Sequence, residues 1–228
     1  MNNIILLHGA IGAAVQFEPI EQRLKSNFGV YKFDFSGHGS RSEFEGELSI
    51  EQFTEDLHNF ISEESLFGAD VFGYSMGGYV ALNYASKYPE NLSNIMTLAT
   101  KFDWTPESAA IESKMLNPQK IIDKVPKFAE YLKSLHGECW TQLLEKTARM
   151  IINIGNNPLI NKSKLAEICN HVRISVGDRD KMVSIVESYD AFRNLNKASF
   201  AVLPDTEHPI DKINFERLIY EIETFFQG

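Results

Sequence analysis

The chain has 228 residues, 43% of them apolar and 23% charged, with a formal net charge of −9. At roughly 150 residues per domain this is about one and a half domains, ample to bury a core and too apolar for a disordered chain. The acidic balance, with no basic run, argues against nucleic acid or an anionic membrane surface as a partner.

Cys139 and Cys169 are the only cysteines. They are too few for a disulfide framework and form no CxxC pair, so both read as reduced, buried thiols and no metal site is expected. The first apolar run, Ile4 to Leu7, is too short for a signal peptide. No stretch approaches the ~20 apolar residues that span a bilayer. The expectation is a soluble, cytoplasmic protein.

Short apolar runs recur along the chain, each ending in a turn signal. Ile4-Ile5-Leu6-Leu7 leads into His8-Gly9, Val30 to Phe35 into Ser36-Gly37-His38-Gly39, and Asp70-Val71-Phe72 into Gly73-Tyr74-Ser75. Asn94 to Leu98 leads into Ala99-Thr100, Arg173 to Val176 into Gly177-Asp178, and Phe200 to Leu203 into Pro204-Asp205. Near-continuous apolar runs suit strands buried on both faces of a parallel sheet. Between them, residues 50–64 and 213–226 carry amphipathic helical patterns, the first behind a capping-box signal at Ser49 and Gln52. This alternation predicts an α/β fold. It breaks from Phe102 to Cys169, where Thr105-Pro106 and Asn117-Pro118 start helices and Leu143, Leu144, Thr147, Met150, Ile151 and Ile154 trace a helical face. Residues 102–169 are therefore expected to be a helical insertion.

Gly73-Tyr74-Ser75-Met76-Gly77-Gly78 places a serine on a strand-to-helix turn between small residues. A bare Gly-x-Ser-x-Gly arises by chance in roughly one such chain in ten at ordinary glycine and serine frequencies, so its context carries the weight. A serine hydroxyl needs a base, and the base an orienting acid. Gly177-Asp178-Arg179-Asp180 and Glu207-His208 supply both in the order Ser, Asp, His, at strand ends that share one sheet edge. His208 is expected to act as base and Asp180 to hold its tautomer. The amides of Met76 and Ala10 are the expected oxyanion donors, Ala10 in the loop His8-Gly9-Ala10-Ile11-Gly12. Of the other histidines, His58, His136 and His171 read as surface or capping residues, and His8 and His38 as structural hydrogen-bonding groups.

These segments, with Asp34-Phe35-Ser36-Gly37-His38-Gly39-Ser40-Arg41-Ser42, resemble the α/β-hydrolase superfamily from position 8 to position 208. They resemble the branch of small carboxylesterases such as pimeloyl-carrier-protein methyl ester esterases. The elbow is also similar to that of the menaquinone-pathway lyase. The resemblance implies Ser75 as nucleophile, His208 as base, and Asp180 over Asp178 as acid, because the family's acid closes the G-x-x-D turn. It implies a core of residues 1–101 and 170–228 under a cap of 102–169. The family's N-terminal β-hairpin is expected to be missing, leaving a mostly parallel sheet of about six strands with helices on both faces. Serine at 75 excludes an aspartyl-enzyme mechanism. Glu207 stands where the family often has glycine, and is expected to face solvent.

The expected activity is hydrolysis of a small or medium carboxylic ester through an acyl-enzyme, with a small-molecule substrate and no cofactor. A lyase or C–C bond hydrolase and a ligand-binding receptor with negligible turnover are the rival readings. Phe102, Trp104 and Trp140 are expected to line the substrate pocket, and Lys101 is a candidate for meeting a substrate carboxylate. Oligomeric state is left open.

Overall fold

The computed structural model describes residues 2–227. The first half of the chain forms β1 (Asn2–Leu7), α1 (Glu18–Leu24), β2 (Phe28–Lys32), α2 (Ile50–Glu63), β3 (Ala69–Tyr74), α3 (Met76–Lys87) and β4 (Leu92–Leu98). Five helices follow: α4 (Pro106–Ser113), α5 (Pro118–Lys124), α6 (Pro126–His136), α7 (Trp140–Asn156) and α8 (Lys162–Glu167). The chain then returns to the sheet through β5 (Val172–Gly177), α9 (Ile185–Arg193), β6 (Ala198–Leu203) and α10 (Phe215–Gln227).

The strands form one sheet in the order β2-β1-β3-β4-β5-β6, and every neighbouring pair is parallel. Strand periodicity sorts the side chains onto two faces. Ile5, Leu7, Val71 and Ile95 pack with Phe53 of α2, Val80 of α3 and Ala191 of α9. Ile4, Leu6, Phe72 and Met96 face the other way, onto Ile20 and Leu24 of α1 and Leu218 and Ile222 of α10. Each fully buried aliphatic or aromatic side chain contributes about 1.5–3 kcal/mol. The edge strands β2 and β6 are only partly buried, unlike the fully covered strands expected from their composition. An edge strand has a neighbour on one side only.

Chain direction out of β1 reverses at this sheet: β2 lies on one side of β1 and β3 on the other. Loops leaving β1 and β3 therefore diverge and leave a crevice at the carboxyl edge, the place where open α/β sheets bind ligands.

Local signals explain most helix starts. Ser49 Oγ accepts from the Gln52 amide at 3.0 Å, but the reciprocal half of the expected capping box is missing, because the Gln52 side chain reaches Asp56 instead. Thr105 and Asn117 accept from the amides of Ser108 and Lys120, each ahead of a proline at the first helical turn. Within the helical run, Leu143, Met150 and Ile154 of α7 enter the core cluster on the α2–α3 face of the sheet. Cys139 and Cys169 are free thiols, but Cys139 is half-buried and Cys169 exposed, so the expectation of buried thiols fails. Each sits beside a helix end, away from the apolar faces. Among the described residues, no helix is long and apolar enough to cross a membrane.

Candidate active site

Ser75 stands between β3 and α3 with φ 52° and ψ −117°. Few L-residues adopt this backbone, and holding it costs on the order of 1–3 kcal/mol. Neighbouring contacts hold it in place. The Ser75 amide donates to the Leu98 carbonyl at 2.8 Å, and the Thr100 hydroxyl donates to the Ser75 carbonyl at 2.9 Å. A Cβ on Gly73 would fall 2.5 Å from Gly78 Cα, and one on Gly77 would strike the Leu7 carbonyl oxygen. Glycine at both positions is what lets strand, turn and helix pack this closely. The turn delivers the Ser75 hydroxyl to the N-terminus of α3, where the helix dipole favours negative charge.

His208 Nε2 lies 3.3 Å from Ser75 Oγ. On the other side of the ring, Nδ1 lies 2.7 Å from Asp180 Oδ2. The Asp180 side chain is fully buried and that of His208 is 13% exposed. The second Asp180 oxygen accepts from the amides of Met182 and Val183 at 2.8 and 2.9 Å, so the carboxylate is fixed in orientation. Asp178 is turned elsewhere and accepts from the Thr206 amide. The Tyr74 hydroxyl donates to the His208 carbonyl at 2.8 Å and ties the histidine loop to β3. Glu207 pairs with Lys212 at 2.9 Å on the surface, and that hydrogen bond keeps its carboxyl below the usual range.

Met76 and Ala10 line the same depression as Ser75. Neither backbone amide is engaged by an acceptor among the described residues. The loop carrying Ala10 is held by histidines. Ile11, at φ 54°, donates its amide to His38 Nε2 at 3.3 Å and accepts at its carbonyl from His136 Nε2 at 2.9 Å. His136 Nδ1 in turn accepts from the Gly39 amide, and His8 Nε2 from the Phe35 amide. Each ring thus takes one backbone amide and faces a backbone carbonyl with its other nitrogen, the pattern of neutral imidazole. Burial drives His8 down to about 4 and lowers His38 and His136 as well. The expectation of a surface or capping role for His136 is corrected: it is 1% exposed and bridges α6 to two loops of the sheet edge. Asp34, from the same motif, accepts from the Ala14 amide and from the Ser40 amide and hydroxyl.

Two depressions share Ser75. A smaller lobe of about 90 Å³ is walled by Ile50, Tyr79, Trp104, Met150, Ile154 and Val183. A larger lobe of about 270 Å³ is walled by Ile11, Leu116, Phe128, Tyr131, Pro209 and Ile210. Ala10, Glu112, Ile151, Met182 and His208 border both. A larger surface depression of about 730 Å³, between Ser113 and Asn156, includes none of these shared residues.

Of the three expected pocket side chains, Trp104 lines the smaller lobe, whereas Phe102 and Trp140 do not. The Phe102 amide is held by Glu187 at 3.0 Å, and the residue borders a separate depression with Leu165 and Ala191. Trp140 starts α7, roughly 15 Å along the helix from Met150. It packs with Ile121, Ala129, Leu132 and Leu144. Lys101 lines the smaller lobe, where Nζ donates to the Met182 carbonyl at 3.2 Å and lies 3.8 Å from Glu112 Oε1. Among the described residues, no group of three or more His, Cys, Asp or Glu converges as metal ligands would.

Residues 2–170 match the family model described as serine aminopeptidase, S33. The chain belongs to the S33 serine aminopeptidase family, a family of α/β-hydrolases. This S33 hydrolase is 19% identical to the 2-(acetamidomethylene)succinate hydrolase of Mesorhizobium japonicum, over 99% of its own length and 88% of that relative. It is 29% identical to a pimeloyl-(acyl-carrier protein) methyl ester esterase of Salmonella newport, over 43% of its own length and 36% of that relative. In fold it is similar to a thermophilic esterase from Thermogutta terrifontis, with a TM-score of 0.80 at 19% identity, over all of this chain and 90% of that one.

The S33 hydrolase places one charged group at Ser75 that its sequence did not advertise. Glu112 sits on α4 and borders both lobes; burial raises its carboxyl above the usual range, against the opposing pull of Lys101 and His208. Nothing in the pattern Ala110-Ile111-Glu112-Ser113 distinguishes it from a solvated helix face. Met182 and Val183 were nearer to hand, since they directly follow the Gly177–Asp180 turn.

Proposed function

We propose that this hydrolase cleaves carboxylic esters through an acyl-enzyme formed on Ser75. The observation that carries the reading is the line Ser75 Oγ, His208, Asp180, at 3.3 and 2.7 Å, on a strained turn. In the proposed cycle His208 Nε2 takes the Ser75 proton as Oγ attacks the ester carbonyl carbon. The tetrahedral oxyanion is met by the Met76 and Ala10 amides, where losing one donor costs about 2.7–4 kcal/mol. His208 then passes the proton to the departing alkoxide as the C–O bond breaks. A water molecule, deprotonated by the same nitrogen, releases the acid and restores the hydroxyl. Asp180, its second oxygen held by two amides, keeps Nδ1 protonated and offsets the imidazolium charge. The family membership and the likeness to esterases support this reading. Residues 102–169 are proposed as a cap, because Trp104, Glu112, Met150 and Ile154 of that segment wall the smaller lobe at Ser75.

The test is pre-steady-state hydrolysis of p-nitrophenyl acetate. A burst of nitrophenolate is expected from the native chain, and Ser75→Ala should lower kcat by on the order of 10⁴-fold or more. Ester hydrolysis that survives the substitution would refute nucleophilic catalysis by Ser75.

A further inference from the structure

We infer that this chain selects esters joining a short acyl group to a bulkier apolar alcohol. The inference rests on the acyl-transfer reading above and names its substrate class.

The two lobes at Ser75 differ in size. The smaller holds about 90 Å³ and the larger about 270 Å³, against roughly 300–1,000 Å³ for ordinary ligand pockets. The chemistry decides which part of the ester enters which lobe. The leaving oxygen must receive its proton from His208, which borders both lobes, but Pro209, Ile210 and Asp211, which continue its loop, wall only the larger one. The alcohol is therefore placed in the larger lobe. The acyl chain is left the smaller lobe, walled by Trp104, Tyr79, Met150 and Ile154.

Met115, Phe128 and Tyr131 in the larger lobe are 52%, 39% and 41% exposed, apolar surface that a bulky alcohol would cover.

Two ester series separate the lobes. Along phenyl acetate, butanoate and octanoate, kcat/KM should fall by at least about tenfold. From phenyl acetate to 1-naphthyl acetate, alcohols of similar acidity, it should hold or rise. Ile154→Ala, which lengthens the smaller lobe, should raise the octanoate-to-acetate ratio. The native-chain series stands even where a variant folds poorly. Ser75-dependent hydrolysis that favours octanoate, or that falls as steeply from phenyl to 1-naphthyl, overturns the selectivity alone. Absence of any Ser75-dependent ester hydrolysis overturns the acyl-transfer reading and this inference with it.

Discussion

At Ser75 and its two flanking glycines, sterics and chemistry coincide. The serine holds φ 52° because Leu98, Thr100 and the packed ends of β3 and α3 leave it nowhere else. Gly77→Ala is expected to destabilise the chain by about 3 kcal/mol or more, since its Cβ would strike the Leu7 and His8 backbone carbonyls, which cannot rotate away. Chemical denaturation checks this; a variant of native stability would show that the elbow tolerates a wider turn. The buried histidines give a pH dependence with a definite sign. The unfolded chain protonates His8 near 6.5 and the folded chain only near 4. Stability is therefore full above pH 6.5 and falls as the pH drops toward 4, by up to about 1.4 kcal/mol per pH unit for each such histidine. Thermal midpoints at pH 7.5, 6 and 5 should decline in that order, and a flat profile would mean that these rings are protonated in the native state. Ser75, Asp180 and His208 could be picked out in the sequence because each sits in a turn where residue size or chain order is restrictive. Glu112 could not, because its meeting with Ser75 is made by the path of five helices rather than by any local pattern.

The helices between β4 and β5 are bound to the sheet edge by single side chains. His136, at the end of α6, accepts the Gly39 amide and faces the Ile11 carbonyl, so one ring joins the helical segment to both neighbouring loops. His136→Leu leaves that donor and acceptor buried and unpaired, at a cost of about 1–3 kcal/mol per group. His136→Gln, with an amide that both accepts and donates, should recover part of the loss. Equal denaturation midpoints for the two variants would mean that shape alone matters at this position. Glu187 of α9 accepts from the Phe102 and Asp103 amides with one oxygen and from Ser184 with the other, holding the start of the segment. At this scale the sequence was partly readable. Thr105-Pro106 and Asn117-Pro118 gave true helix starts because capping is local. The aromatic residues misled, because Trp140 and Phe102 answer to neighbours on other elements, Ile121 and Glu187 among them.

Across the whole molecule, the proposed cap is not a separate body in energetic terms. Leu143, Met150 and Ile154 of α7 share a cluster with Ile5, Val71 and Ile95 of the sheet. Scanning calorimetry should therefore show one cooperative transition, with equal calorimetric and van't Hoff enthalpies. Two resolved transitions would show that residues 102–169 unfold independently. The layered architecture was open to reading because buried parallel strands announce themselves as apolar runs. Strand order and the crevice between β1 and β3 were not written in any one segment, and required the fold.

The pairing of β4 with β5 bears on how such a chain can change over generations. Leu98 lies opposite Ser175, yet the whole run from Ala99 to His171 is threaded between these two adjacent strands. Its entrance and exit are neighbours, and each doubling of a loop's length adds only about 0.6 kcal/mol of closure entropy. Insertions, deletions or wholesale exchange at this gap would leave the sheet register untouched, provided that an α7-like helix still fills the apolar notch. A lineage could thus trade one substrate for another by rewriting a single interval of its gene, while the hydrolytic machinery is inherited intact.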